Sequence, residues 1–200
     1  MLHQFSLYIK SPKTGAFCYD GDMKLYVARH GRSNYNDLRL FNSDPTVDVH
    51  LTDVGIQQAE DLAKELKDIQ FNQIFVSELR RTQQTAEVVN KTHNAPIVIE
   101  PRLNDHTSGL EGLPYEAYDE YIEKASDRWS LRIKDGESII DVKTRMQNFL
   151  DDLKTKDYDN VLLVTSMYNI RTVYLILKNI SYDDAWKMEV LPATFAVFDI

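Results

Sequence analysis

Short apolar runs punctuate the chain, separated by longer stretches in which apolar positions return every third or fourth residue. Leu25-Tyr26-Val27-Ala28, Gln73-Ile74-Phe75-Val76, Ile97-Val98-Ile99 and Val161-Leu162-Leu163-Val164 are rich in β-branched or aromatic side chains. Runs of this kind suit parallel strands buried on both faces. Between them, Ala59, Leu62, Ala63 and Leu66 stand at i, i+3, i+4 and i+7 behind Thr52, an N-cap residue. That spacing predicts a helix over 53–68 with one face on the sheet. Ile139, Val142, Met146, Phe149 and Leu150 repeat the pattern, and Ser138 followed three residues later by Asp141 resembles a capping box with a short acid. A further helix is predicted over 168–178 and a closing strand over 194–200.

Strand and helix in alternation imply an α/β fold, a three-layer α/β/α sandwich with a mostly parallel sheet. Sites in such sheets lie at the C-terminal ends of the strands. Residues 1–23 stand outside the rhythm: two apolar segments, 5–9 and 16–19, flank Ser-Pro-Lys-Thr-Gly and read as a β-hairpin extension ahead of a domain over 24–200. The stretch 102–135 is irregular, with Gly109, Gly112 and Pro114 before a polar helix studded with aromatic residues. It reads as a cap-like insertion over a site.

Composition narrows the functional classes. The 200 residues, 43% of them hydrophobic, suffice for one substantial core. Acidic residues outnumber basic ones, 31 to 23, and are interspersed with them, for a net charge of -8. That balance excludes a general affinity for nucleic acid or anionic membranes, so an anionic ligand must be drawn by a local basic pocket. No stretch approaches the roughly 20 apolar residues of a membrane span, and the N-terminus lacks a basic start. The single cysteine, Cys18, can form no intramolecular disulfide. These features together lead us to expect a cytoplasmic protein. The oligomeric state is not legible.

Candidate chemistry begins at Arg29-His30-Gly31, directly after the first apolar run. There an arginine, an imidazole and an unhindered backbone would stand at the sheet's C-terminal edge, and phosphate chemistry uses all three. Four more segments follow in order: Leu51-Thr52-Asp53-Val54-Gly55 with Gln58-Ala59; Ser77-Glu78-Leu79-Arg80-Arg81-Thr82; Leu103-Asn104-Asp105 with Gly109, Glu111 and Gly112; and Gly136-Glu137-Ser138. With the Ser33 and Asn36 that follow the first motif, this ordered set resembles the histidine phosphatase superfamily, the phosphoglycerate mutase-like proteins. The resemblance runs through most of residues 24–200.

The resemblance implies a phosphatase that acts on a small phosphorylated metabolite through a phosphohistidine on His30. Arg29 and Arg81 would bind phosphate oxygens with planar charged forks, Asn36 would add a neutral donor, and Asp105 would protonate the leaving group. Neither metal nor cofactor is called for. A glutamate is common in the place of Asp105, so the shorter acid requires its backbone to sit closer to the leaving group. Tyr115, Tyr118, Tyr121 and Trp129 suit either the non-phosphate part of a ligand or packing on the core. His3, His50 and His93 lie in no motif.

One departure changes the picture. Val164-Thr165-Ser166-Met167-Tyr168-Asn169-Ile170-Arg171 aligns with a strand-to-helix turn where the family has a second histidine followed by glycine. Here those positions hold Ser166 and Met167. Serine offers one short neutral donor, so the expected enzyme is weakened at Ser166, whether that residue is natural or introduced. His106 beside Asp105 could substitute, but neighbours in an extended loop point to opposite sides. The alternatives are a pseudoenzyme that binds a phosphorylated ligand or a partner without turnover, and a phosphoglycerate-type mutase.

Overall fold

The computed structural model describes residues 23–200, so the expected hairpin lies, except for Met23, outside the described residues. Five strands form one sheet: β1 (Lys24–Arg29), β2 (Gln73–Val76), β3 (Ile97–Ile99), β4 (Asn160–Thr165) and β5 (Phe195–Asp199), in the order β3-β2-β4-β1-β5. β1 to β4 are mutually parallel, and β5 runs antiparallel on the outer side of β1. This is the mostly parallel sheet that the alternating pattern predicts.

Each central strand divides its side chains between two cores because successive residues face opposite sides of a sheet. Leu25 and Val27 of β1, with Val161 and Leu163 of β4, pack against Met146, Phe149 and Leu150 of helix α5 (Ile139–Leu153) and Ile170 and Val173 of helix α6 (Met167–Leu177). Tyr26, Ala28, Ile74, Val76, Leu162 and Val164 face the other way. They meet Leu62 and Leu66 of α2 (Asp53–Leu66) and Ala86 and Val89 of α3 (Arg80–Asn90). These two cores give the three layers. The expected caps form: Thr52 Oγ accepts from the Gly55 N–H, and Ser138 and Asp141 close a reciprocal capping box.

β3 departs from the expectation of a buried strand. All three of its residues are exposed, as befits the edge strand of the described sheet. The irregular segment forms a small annex. A 3-10 turn (Tyr115–Tyr118) leads into α4 (Asp119–Lys124), and Phe41, Leu110, Tyr118 and Ile133 make a third cluster of their own. The remaining helices are short: α1 (Asn34–Leu38) follows the first motif, and α7 (Tyr182–Lys187) precedes the last strand. No helix among the described residues is long and apolar enough to cross a membrane.

Candidate active site

Arg29 ends β1, and His30 begins the loop beyond it, so both leave the sheet at its C-terminal edge. The loop is held by the backbone of a second element. A Cβ on Gly31 would stand 2.4 Å from the Gly55 carbonyl oxygen, and one on Gly55 would stand 2.0 Å from the Arg32 carbonyl oxygen. Only glycine at both positions lets the start of α2 approach so closely. Thr85 Oγ1 of α3 accepts from the Gly31 N–H at 3.1 Å, and Gln58 Oε1 of α2 accepts from the Arg32 N–H at 2.9 Å.

The His30 ring is buried. Its Nδ1 stands 2.7 Å from the Gly31 carbonyl oxygen, an acceptor, so the ring hydrogen sits on Nδ1 and Nε2 keeps its lone pair. Arg81 Nε donates to that Nε2 at 3.2 Å. Burial above all, with Arg81 and then Arg29 alongside, holds the His30 pKa well below its ordinary value. The result is a neutral imidazole whose unprotonated Nε2 meets the Arg81 guanidinium.

Arg81, on the first turn of α3, is only 4% exposed rather than a solvated helix-surface charge. Its fork is held by Asn42, Nη1 donating to Oδ1 at 2.8 Å and Nη2 to the carbonyl oxygen at 2.9 Å. Nη2 also meets Asp105 Oδ2 at 3.1 Å. Arg29 and Arg171 have no carboxylate partner among the described residues. They are anchored instead on alternate carbonyls of one segment, Arg29 Nη1 on Val190 O at 2.6 Å and Arg171 Nη2 on Met188 O at 2.8 Å. Their Nε atoms are buried and unbonded.

Around these groups lies a cavity of about 440 Å³. Arg29, His30, Asn36, Arg81 and Asp105 all line it, as do Tyr115 and Tyr118. Tyr121 and Trp129 do not; Trp129 stacks on Tyr182 and Trp186 instead. Ser166 does not line it either. Serine's single-carbon side chain ends beneath the wall, its Oγ buried without a partner, and Met167 forms the surface there. Asn36 lines the cavity with its amide already engaged, Oδ1 in the Ser33 capping box and Nδ2 donating to the Tyr115 hydroxyl at 3.4 Å.

His106 corrects the alternation argument. It lines the cavity together with Asp105, and its N–H donates to Asp105 Oδ1 at 2.9 Å. Its own Nε2 is committed to the Glu137 carbonyl oxygen at 2.7 Å. His50 is exposed beside Asp48, and His93 Nδ1 bonds the Ile69 carbonyl oxygen, both remote from the cavity lining. His3 lies outside the described residues. Asn42, Tyr168, Arg171 and Trp186 were not singled out by sequence reasoning. Among them only Arg171 carried a usable signal, as the one charged residue of α6.

A family model described as histidine phosphatase superfamily (branch 1) matches residues 25–200. The chain is 27% identical over 173 residues to a putative phosphoserine phosphatase from Hydrogenobacter thermophilus, covering 84% of each protein. Over 139 residues it is 33% identical to a fructose-2,6-bisphosphatase from Danio rerio, covering 64% of this chain and 52% of that one. The crystal structure of a putative alpha-ribazole-5'-phosphate phosphatase from Escherichia coli superposes with a TM-score of 0.78 at 25% identity, covering 90% of this chain and 91% of the other.

Proposed function

The chain belongs to the histidine phosphatase superfamily, and from that premise we propose that it is a phosphomonoesterase acting on a small phosphorylated metabolite through a phosphohistidine on His30. The observation that carries this reading is the His30 ring itself. It is held neutral, in the tautomer whose unprotonated Nε2 accepts from Arg81 Nε until a phosphoryl group takes its place, and it lines a cavity with Arg29, Arg81 and Asp105.

In the first step the Nε2 lone pair forms a bond to phosphorus while the bond to the ester oxygen breaks. Arg29 and Arg81 bind the phosphoryl oxygens, whose charge they offset as the group transfers. Asp105 gives its proton to the departing alkoxide. In the second step water attacks phosphorus, its proton passes to Asp105, and the N–P bond breaks to release inorganic phosphate. Asn36 and Ser166 complete the proposed phosphate contacts, which requires Asn36 to release Tyr115 and the wall at Met167 to shift. The side chains alone carry both steps, and the acidic, single-cysteine chain is assigned to the cytoplasm.

A second reading, a binding protein without turnover, is favoured by the start of α6, where Ser166 does not reach the cavity and Met167 lines it instead. Turnover of an aryl phosphate with trapping of the intermediate separates the two. The phosphatase reading expects acid-labile, alkali-stable label on the wild type and none on His30→Ala. Label persisting in that variant would point to another nucleophile, and tight phosphate binding with no label at all would favour the binding protein.

A further inference from the structure

Asp105 sits in a loop without regular structure, yet a proton donor must be placed to within a fraction of an ångström to work. Four consecutive backbone carbonyls, those of residues 102 and 103 in a 3-10 turn (Pro101–Leu103) and of residues 104 and 105 directly after it, are held by two side chains on different helices. Arg145 of α5 donates through Nη1 to the Arg102 carbonyl oxygen at 2.5 Å and through Nη2 to that of Asp105 at 3.4 Å. Asn169 of α6, fully buried, donates through Nδ2 to the carbonyl oxygens of Leu103 at 2.8 Å and Asn104 at 2.9 Å. Thr165 Oγ1 also donates to Leu103 O at 2.8 Å.

The two side chains are themselves tied together, Arg145 Nη1 donating to Asn169 Oδ1 at 3.2 Å. Glu137 fixes the other edge of the guanidinium through Nε at 2.8 Å, and its second oxygen accepts from the Thr107 N–H at 3.2 Å. Arg145 and Asn169 do not line the cavity, so neither touches the ligand. We propose that Arg145 and Asn169 are positioning residues, a clamp that fixes Asp105 at the distance from which it protonates the leaving group. The clamp rests on the phosphatase reading and adds to it how a short, loop-borne acid is held in reach.

Buried, mutually bonded donors leave the loop one arrangement rather than a continuum, since breaking any of these bonds strands a polar group out of water. The signature of a misplaced acid differs from that of a damaged fold. An ester whose leaving group is stable as an anion needs little protonation, whereas an alkoxide leaving group depends on it. The experiment is therefore kcat/KM, which reports the phosphorylation step, for 4-nitrophenyl phosphate and for an alkyl phosphate, in the wild type, Asn169→Asp and Arg145→Lys.

Asn169→Asp keeps the shape but replaces the donor with an acceptor facing two carbonyls. It is expected to cost about 100-fold on the alkyl ester and only a few-fold on the nitrophenyl ester. Arg145→Lys, which retains the charge beside Glu137 and is the gentler change for folding, should show the same preference at smaller size. Equal losses on both esters, or no loss on either, overturn the proposal. Hydrogen exchange of the His106 amide, bonded to the Asp105 carboxylate, reads the clamp without turnover. It should quicken in both variants while inorganic phosphate still binds, and an unchanged rate overturns the clamp. A wild type that hydrolyses neither ester would sink the phosphatase reading alone.

Discussion

His30 is an imidazole kept neutral by its surroundings, and that has a measurable effect on stability. Its pKa in the folded chain lies well below 6.5, so as pH falls through about 6.5 the unfolded chain takes up a proton that the folded chain refuses. Stability contributed by the neutral ring is complete above that pH and declines below it, by up to about 1.4 kcal/mol per pH unit until the folded pKa is reached. Denaturant melts of wild type and His30→Asn between pH 7 and 5 test this, with the variant expected to lose less as the pH drops. Ser166→His is expected to raise kcat on an aryl phosphate by about 10²–10³-fold by adding a donor at the start of α6. KM should move little, since Arg29 and Arg81 already hold the ground state. A histidine variant that folds, binds phosphate and stays at the background rate would implicate Met167 in blocking the site. At this scale the sequence was informative where a residue sat in an ordered motif, as Arg81 and Asp105 did. It was silent on Asn42, whose place beside Arg81 depends on side chains far apart in the chain meeting one cavity.

Among the elements, the meeting of the His30 loop with α2 is the least tolerant contact of the site. Gly55→Ala would drive a methyl group into the Arg32 carbonyl oxygen, a backbone atom with no freedom to swing aside. The expected cost is about 1–3 kcal/mol of stability, with a fall in activity because the displaced carbonyl belongs to the residue two after His30. Thermal melting and turnover of Gly55→Ala read both together; a variant as stable and active as wild type would mean the approach is looser than described. The helices were legible to within one or two residues because α2, α5 and α6 each bury one periodic face. β3 was legible as a strand and misjudged as buried, since a run such as Ile-Val-Ile reads the same at a sheet edge and at its centre. The annex around Tyr118 carried no period, because its cluster is drawn from residues 41, 110, 118 and 133 rather than from one element.

Taken whole, the molecule is an acidic body around a basic pit. The formal charge is -8, yet Arg29, Arg81 and Arg171 meet at one cavity where, among the described residues, only the Asp105 carboxylate is paired to any of them. Inorganic phosphate, binding the folded cavity alone, should stabilise the chain by about 2.7 kcal/mol at a hundred times its dissociation constant. Calorimetry of Arg81→Met should find that shift much reduced, and a response equal to wild type would place the anion elsewhere. The sheet order carries a consequence for synthesis. β1, the strand that delivers Arg29 and His30, pairs only with β4 and β5, which span residues 160–199. A ribosome releases the nucleophile strand early and its neighbours last, so β2 and β3 can find each other while β1 waits unpaired. Nascent chains halted before residue 160 should therefore show no phosphate-dependent protease resistance. For most of its time on the ribosome the growing chain therefore carries an apolar strand whose partners among the described residues, β4 and β5, emerge only with the last fifth of the chain.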